Sequence, residues 1–272
     1  MRHTSTNGDI TVVITCFNSG AWLSEAVQSA LTQKGGAPKV VVVDDGSTDP
    51  ETQAVLATLP KTVTVLRQEN AGVCSARNTG LAAAETPYVL FLDADDRLVP
   101  EALSAMREPL DRNGELGFAY GTMRFFGAWD GELRFPPYDP FKLLYRHIIG
   151  LSALVRREVL EQIGGFDASF QQFEDWELWV NALAHGWGGE QVDAVTIEYR
   201  RHGESKWHGD RKRFRSVVRQ LRAKHRDLYR RSATLARTSS LRAHGRLVYR
   251  VYWAWRPIPA RVEQLLYALR WA

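Results

Sequence analysis

The sequence is poor in cysteine: Cys16 and Cys74 are the only two among 272 residues. Two thiols cannot build a disulfide framework, and their spacing is not that of a zinc site. Reduced cysteines in a cytoplasmic protein are the expectation. Long apolar runs are missing as well. Residues 1–9 are polar, and the run that follows, Ile10 to Ile14, is too short for the core of a secretory signal. No stretch approaches the roughly 20 apolar residues that a membrane-crossing helix needs. No Gly-x-Gly-x-x-Gly follows the first apolar segment, which argues against a dinucleotide oxidoreductase. Nor does Thr15 to Ala21 offer the Gly-rich phosphate loop of a sugar-phosphate nucleotidyltransferase. Internal repeats and low-complexity stretches are absent too.

What is present is a globular chain. Hydrophobic residues make up 44% and Trp occurs nine times, enough for a packed core. The length fits one sizeable domain plus an appendage. The net charge of +4 conceals a polarity. Residues 1–199 hold 15 Lys and Arg against 27 Asp and Glu, a net of −12. Residues 200–272 hold 20 against 4, a net of +16. An acidic body can hold cations, and a basic tail can meet an anionic surface.

The first 120 residues alternate between β-rich runs and helical patterns. Strands are expected at Ile10 to Thr15, Lys39 to Val43, Thr62 to Leu66 and Pro87 to Leu92. Helices are expected at Ala21 to Gln33, where Ser19-Gly20 can cap the start, and at Cys74 to Ala84. The run Val40 to Val43 is too continuously apolar for a half-exposed strand, so helices should cover both faces. Such alternation implies an α/β fold with a mostly parallel sheet and right-handed crossovers. Beyond residue 120 the pattern loosens: Gly127 to Pro140 is turn-rich, Leu151 to Val155 and Val192 to Tyr199 read as strands, and Glu174 to His185 as a helix.

Ligands of such sheets sit beyond the carboxyl ends of the strands. Three polar clusters fall there: Thr15-Cys16-Phe17-Asn18, Asp44-Asp45-Gly46-Ser47 and Asp93-Ala94-Asp95-Asp96. Alternate carboxylates leaving a strand can converge on one hard cation, magnesium or manganese. Asp45 can accept hydrogen bonds from a base or a ribose hydroxyl; the segment also suits a turn leading to a cap at Asp49 before Pro50, and the two readings are compatible, with Asp45 left free for a ligand. Glu174-Asp175-Trp176-Glu177 opens a helix, where its dipole favours acids whether or not they act on a ligand. His202 stands alone between a strand and the tail.

In order and spacing these segments resemble the inverting glycosyltransferases of family 2, which have the GT-A fold, over about residues 10–205. The matching residues run from Val12 to Asn18, Val41 to Asp49, Asn70 to Gly80 and Phe91 to Asp96, and then through Gly164 to Asp167, Phe173 to Trp179 and Tyr199 to His202. The resemblance implies a Rossmann-like sheet flanked by helices. It implies a nucleotide-sugar donor on Thr15, Phe17, Asp45, Arg77 and Asp93, with Phe17 against the base. It further implies a divalent metal (Mn2+ or Mg2+) on Asp95, with Asp93 and His202 contributing, and Asp175 as the base that deprotonates an acceptor hydroxyl. The acceptor would be a glycan or lipid-linked, in polysaccharide synthesis. One departure is Thr15-Cys16, where the family often has Pro-Thr or Pro-Cys.

The domain boundary is expected near residue 210, with 211–272 as a basic amphipathic helical tail. Phe214, Val217, Val218, Leu221, His225 and Leu228 share one helical face. Leu241, His244, Val248, Val251, Tyr252 and Trp255 repeat the stripe, and Val262, Leu265, Leu266 and Leu269 resume it after Pro257 and Pro259. Such faces suit an anionic membrane surface on the cytoplasmic side, the catalytic body or a second subunit. Arg interleaved with Trp and Tyr suits nucleic acid in principle, and a non-catalytic nucleotide-sugar or nucleic-acid binder is the alternative function.

Overall fold

The computed structural model describes residues 7–202 and 211–253. In chain order the elements are β1 (Ile10–Cys16), α1 (Gly20–Leu31), β2 (Lys39–Asp44), α2 (Pro50–Thr58), β3 (Val63–Arg67), α3 (Val73–Ala83), β4 (Tyr88–Asp93), β5 (Arg97–Leu98) and α4 (Ala102–Arg112). They continue with β6 (Leu116–Gly127), β7 (Gly131–Leu133), α5 (Pro140–Leu143), β8 (Leu154–Arg156), α6 (Arg157–Ile163), α7 (Glu174–Ala184) and β9 (Gly188–Arg201). The last are α8 (Arg211–Lys224), α9 (Arg226–Arg230), α10 (Ser232–Thr238) and α11 (Ala243–Val248), followed by a π-helical turn at Tyr249–Trp253.

Among the described residues nine strands form one sheet, in the order β3-β2-β1-β4-β8-β6-β9-β5, with β7 paired to β6. The first four in that order are parallel. Beyond them the sheet is mixed: β8 runs antiparallel to both β4 and β6, while β6 and β9 pair in parallel from Leu116 beside Gly188 to Gly127 beside Arg201. The parallel half is covered on both faces, as its composition demands. Val12, Val13, Ile14, Val42, Val43 and Val89 to Leu92 are all buried. The register places Cys16 beside Asp44 and Thr15 beside Asp93, so the three polar clusters end at one level on adjacent strands.

Local chemistry fixes the turns that follow. Asp49 caps α2, accepting from the Thr52 amide at 2.8 Å with Pro50 in the first turn, as its position in sequence implies. Ser19 occupies the cap position of α1 but does not cap it. Its hydroxyl donates to the Phe17 carbonyl at 3.0 Å, and the Gly20 amide donates to Thr52 Oγ1 at 2.7 Å instead. The α1 start is therefore stitched to α2 rather than closed on itself.

The chain divides into two compact units, Met1–Tyr138 with Ile148–Ser205 and Asp139–His147 with Lys206–Ala272. The second thus recruits a short segment from mid-chain, around α5, which the tail's composition does not foretell. Within it Tyr229 donates to the Leu144 carbonyl at 2.7 Å, and Asp139 Oδ2 accepts from Ser239 and Ser240. The first amphipathic stripe, Phe214, Val217, Val218, Leu221, His225 and Leu228, is buried and so unavailable to lipid. In the second, Val251 is exposed, as is Leu247 beside it. The side chain of Tyr252, Trp255 and the whole third stripe, Val262 to Leu269, lie outside the described residues. No described helix is long and apolar enough to cross a membrane.

Close packing of α3 on the sheet sets the geometry discussed next. A Cβ on Gly80 would stand 2.2 Å from Val13 Cγ1 and 3.2 Å from Val43 Cγ2, two fixed β-branched side chains of β1 and β2. Gly80→Ala is expected to cost about 1–3 kcal/mol of unfolding free energy by overpacking, read from urea denaturation. A variant as stable as the parent would show that α3 can ride higher on the sheet.

Candidate active site

Asp93 and Asp95 leave the end of β4, and α7 begins with Glu174 and Asp175. Arg77, on α3, joins the two. Its side chain is almost wholly buried, with Nη2 donating to Asp93 Oδ1 at 2.9 Å and Nη1 to Glu174 Oε1 at 2.8 Å. Burial alone would lower its pKa, but Asp93 and Glu174 outweigh that and raise it. The guanidinium also lies over the Phe166 ring, 5.2 Å from its centroid. The next residue, Asn78, exchanges two 2.8 Å hydrogen bonds with the Phe166 backbone. Helix α3 thus holds β4 and the approach to α7 together from one side.

Asp175 is half-buried at the first turn of α7, where its Oδ1 accepts from the Trp176 amide at 2.8 Å. Trp176 and Trp179 anchor the helix in the core, each almost fully buried. Phe173, just before, has φ of 57°, a left-handed conformation that a non-glycine residue adopts at a cost on the order of 1–3 kcal/mol. Such strain recurs where a side chain must be aimed, and here it sets the entry of the acidic turn.

Asp95 meets the end of β9. Its Oδ2 lies 2.8 Å from His202 Nε2, and the His202 ring packs against Trp22, with centroids 4.8 Å apart. Arg200 fixes this corner: its amide donates to Asp96 Oδ1 at 2.9 Å, its Nε to the Asp95 carbonyl at 2.9 Å and its Nη2 to Glu25 at 2.8 Å. Asp96 is buried, and its pKa is raised well above the usual carboxylate range by that burial and by the charges of Asp93 and Asp95. Tyr199 is pushed up to about 12 by its burial and by the same acidic cluster.

Among the described residues no three carboxylate, imidazole or thiolate groups converge on one point. Asp95 and His202 nonetheless form a two-ligand edge, an oxygen and a nitrogen donor within hydrogen-bond distance. Small divalent ions commonly take one or two protein ligands and complete their octahedron with phosphate oxygens and water, so this donor set fits such an ion. Asp93 is close by in sequence but has one oxygen committed to Arg77.

The remaining sequence-derived positions fall at the same strand ends. Thr15 is buried at the end of β1, and Phe17 just beyond it is 47% exposed, an aromatic face open to a flat ligand. Asp45 is not the open carboxylate that the turn reading left it. It is 4% exposed, with Oδ1 accepting from Gln68 Nε2 and the Ala71 amide and Oδ2 from the Gly72 amide. Its visible work is to shape the loop into α3. Cys16 and Cys74 are buried free thiols, each raised to about 11 by burial, and so remain protonated near neutrality. Sequence reasoning missed Trp22, Arg200 and the pairing of Glu174 with Arg77. Arg200 and Glu174 fall within the matched segments, but nothing local shows what they touch, since the partners of these three residues lie 97 to 180 positions away.

With this geometry in hand, comparison with known proteins is decisive. Residues 11–164 match the model of Glycosyl transferase family 2. The chain belongs to that family. Over 197 residues it is 32% identical to the succinoglycan biosynthesis protein ExoO of Rhizobium meliloti (strain 1021), covering 65% of this chain and 56% of that one. It is 31% identical to ExoU of the same organism, covering 65% and 58%. The chain therefore spans somewhat over half the length of these relatives. Among solved structures, S. aureus TarS 1–349 superposes with a TM-score of 0.65 at 20% identity, over 91% of this chain and 72% of that one. The fold is thus the GT-A type that the resemblance implied.

Arg77→Met should cost about 3 kcal/mol of unfolding free energy, because it strands two carboxylates around an uncharged stem. Arg77→Lys should recover only part of it, since an ammonium lacks the fork that reaches both acids. Urea denaturation of the two variants measures this, and a loss below about 1 kcal/mol for the Met variant would show that solvent readily replaces the guanidinium.

Proposed function

We propose that the chain transfers a glycosyl group from a nucleoside-diphosphate sugar to a hydroxyl of a glycan or lipid-linked acceptor, with inversion at the anomeric carbon. The observation that carries this is the Arg77 bridge, which ties the acidic end of β4 to the acidic start of α7. A donor-binding edge and a basic carboxylate are thereby held in one fixed frame. The similarity to two succinoglycan biosynthesis proteins supports a role in making a cell-surface polysaccharide.

In this reading Phe17 stacks on the base, while Thr15 and Asp93 line the nucleoside beside it. Asp45 contributes through the loop it shapes, and Arg77 through the carboxylates it holds. Asp95 and His202, with Asp93 beside them, hold a divalent ion, Mn2+ or Mg2+. Bound there, such an ion neutralises charge developing on a departing diphosphate. The Asp175 carboxylate accepts the proton of the acceptor hydroxyl as its oxygen bonds to the anomeric carbon. The bond from that carbon to the diphosphate breaks on the opposite face, and its electron pair leaves with the diphosphate. A single displacement of this kind inverts the configuration. Leu247 and Val251, exposed among Arg246 and Arg250, support placement at the inner face of a membrane, where a lipid-linked acceptor would lie.

The structures of S. aureus TarS include complexes with UDP and UDP-GlcNAc, so UDP-GlcNAc is the first donor to assay and UDP the first nucleotide to test for binding. Asp175→Asn is expected to keep the parent's affinity for UDP in the presence of Mn2+ while transfer falls by about 10²–10⁴-fold, because the amide cannot take the proton. The first-formed product should show the inverted anomer by NMR. Near-parental turnover in the Asn variant would assign the base elsewhere, and a retained anomer would rule out the single displacement.

A further inference from the structure

The sheet edge that holds the acidic residues also carries an exposed aromatic group. β8 runs antiparallel to β4, β6 antiparallel to β8, and β9 parallel to β6. Two reversals restore the direction, so the carboxyl ends of β6 and β9 lie at the same edge as those of β1 and β4. The loop from β6 to β7, residues 128–130, stands at that edge and is pinned there. The Ala128 amide donates to the Arg201 carbonyl at 2.9 Å. Gly127 takes φ of 97°, and a Cβ on it would meet that same carbonyl oxygen at 2.9 Å.

This loop presents Trp129. Its ring lies against Phe125, with centroids 4.7 Å apart, and the guanidinium of Arg201, a residue only 8% exposed, sits 4.6 Å from its centroid. Phe125 in turn meets Tyr199 edge-on. Gly131 makes room beside the ring, since a Cβ there would stand 3.3 Å from Trp129 Cζ3. The ring is therefore supported, yet Trp129 stays 46% exposed. A flat surface fixed in advance loses little freedom when a ligand lands on it. It is also continuous with the proposed site. Arg201 directly precedes His202, which meets Asp95, and the charges of Asp93, Asp95 and Asp96 bear on Tyr199. Phe17 follows β1 on one side of β4, and β6 and β9 lie on the other.

We propose that Trp129 is the stacking platform for a pyranose ring of the acceptor, so that the acceptor is recognised as a saccharide whether or not a lipid follows. The inference rests on the glycosyl-transfer reading. In a single displacement the acceptor enters opposite the departing diphosphate, and the β6–β9 side lies across β4 from the nucleotide side. A pyranose turns a face of C–H groups to the electron-rich face of an aromatic ring and keeps its hydroxyls at the rim. The exposed neighbours of Trp129, which are Gly127, Ala128 and Asp130, are small or charged. They suit hydroxyl groups and offer a lipid chain little apolar surface.

The test is saturation-transfer NMR on the full-length protein, with the methyl β-pyranosides of glucose, galactose, mannose and N-acetylglucosamine as probes. At least one is expected to receive saturation from the parent, strongest on its ring C–H protons. Trp129→Ala should weaken that binding about tenfold or more, and Trp129→Phe should keep most of it. Trp129→Leu still covers Phe125 and Arg201, so it guards against a loss through misfolding. It should bind as poorly as the Ala variant while keeping the parent's circular dichroism. No saturation of any probe by the parent, or equal saturation by the parent and the Ala and Leu variants, would overturn the proposal. So would binding to anionic vesicles that the Ala variant loses while its pyranoside binding persists, which would make the ring a lipid contact. Calorimetric titration of the parent with UDP and Mn2+ reads the transfer proposal separately. UDP binding without pyranoside binding overturns the platform alone. Pyranoside binding that needs Trp129, without UDP binding, overturns the transfer reading and keeps the saccharide platform.

Discussion

A guanidinium buried to within a few per cent of complete exclusion from water is the constraint on which the rest of this site depends. Removing an ion from water costs several kcal/mol, and the cost is recovered only where counter-charges and hydrogen bonds are well placed. Arg77 meets both conditions by drawing Asp93 and Glu174, 16 and 97 residues away, to 2.9 and 2.8 Å. The two acids that matter chemically under the proposed function are near neighbours of those partners. Asp95 lies two residues beyond Asp93, and Asp175 directly follows Glu174. Any displacement of Arg77 therefore moves both ends of the reaction coordinate at once. The close seat of Gly80 on Val13 and Val43 and the clasp of Asn78 on Phe166 leave α3 little room for such a displacement.

Around this bridge the loops are ordered by carboxylates and amides acting on the backbone. Asp45 gathers the amides of Ala71 and Gly72, and Asp44 accepts from the Ser47 amide. Asn18, itself in the left-handed region with φ of 49°, accepts from the amides of Thr48 and Asp49. On the other flank Arg200 fastens Asp95 and Asp96 to the end of β9. A site assembled this way requires little reorganisation when charge develops within it, which is where electrostatic catalysis finds most of its advantage.

The parallel half of the sheet was legible because its strands are continuous apolar runs, and a run such as Val40 to Val43 has one stable setting, between two layers of helices. The cap at Asp49 was legible because its partner is three residues away. The mixed half was legible only in part: strands were expected where β8 and β9 lie, but β6 and the pairing order were not. β6 and β9 are long strands whose faces are only partly buried, and their parallel pairing joins segments some 70 residues apart. The same distance effect hid the duty of Arg77. The resemblance placed it with the nucleotide, and only the tertiary structure shows that its two Nη nitrogens are spent on two carboxylates. His202 carried no local signal, and its place beside Asp95 was anticipated through family resemblance alone. In the tail, periodicity announced that a stripe would be covered without saying by what, and the segment around α5 gave no sign that it would join that unit.

The claim that the Arg77–Glu174 contact positions the proposed base is tested most directly by a double-mutant cycle on kcat/KM, using Arg77→Met, Glu174→Gln and the pair together. If the contact holds Asp175 in place, the effects will be strongly non-additive, with a coupling of about 1 kcal/mol or more, since the second substitution has little left to disturb. Effects that add to within about 0.3 kcal/mol would contradict the account, showing that Arg77 and Glu174 serve the reaction separately.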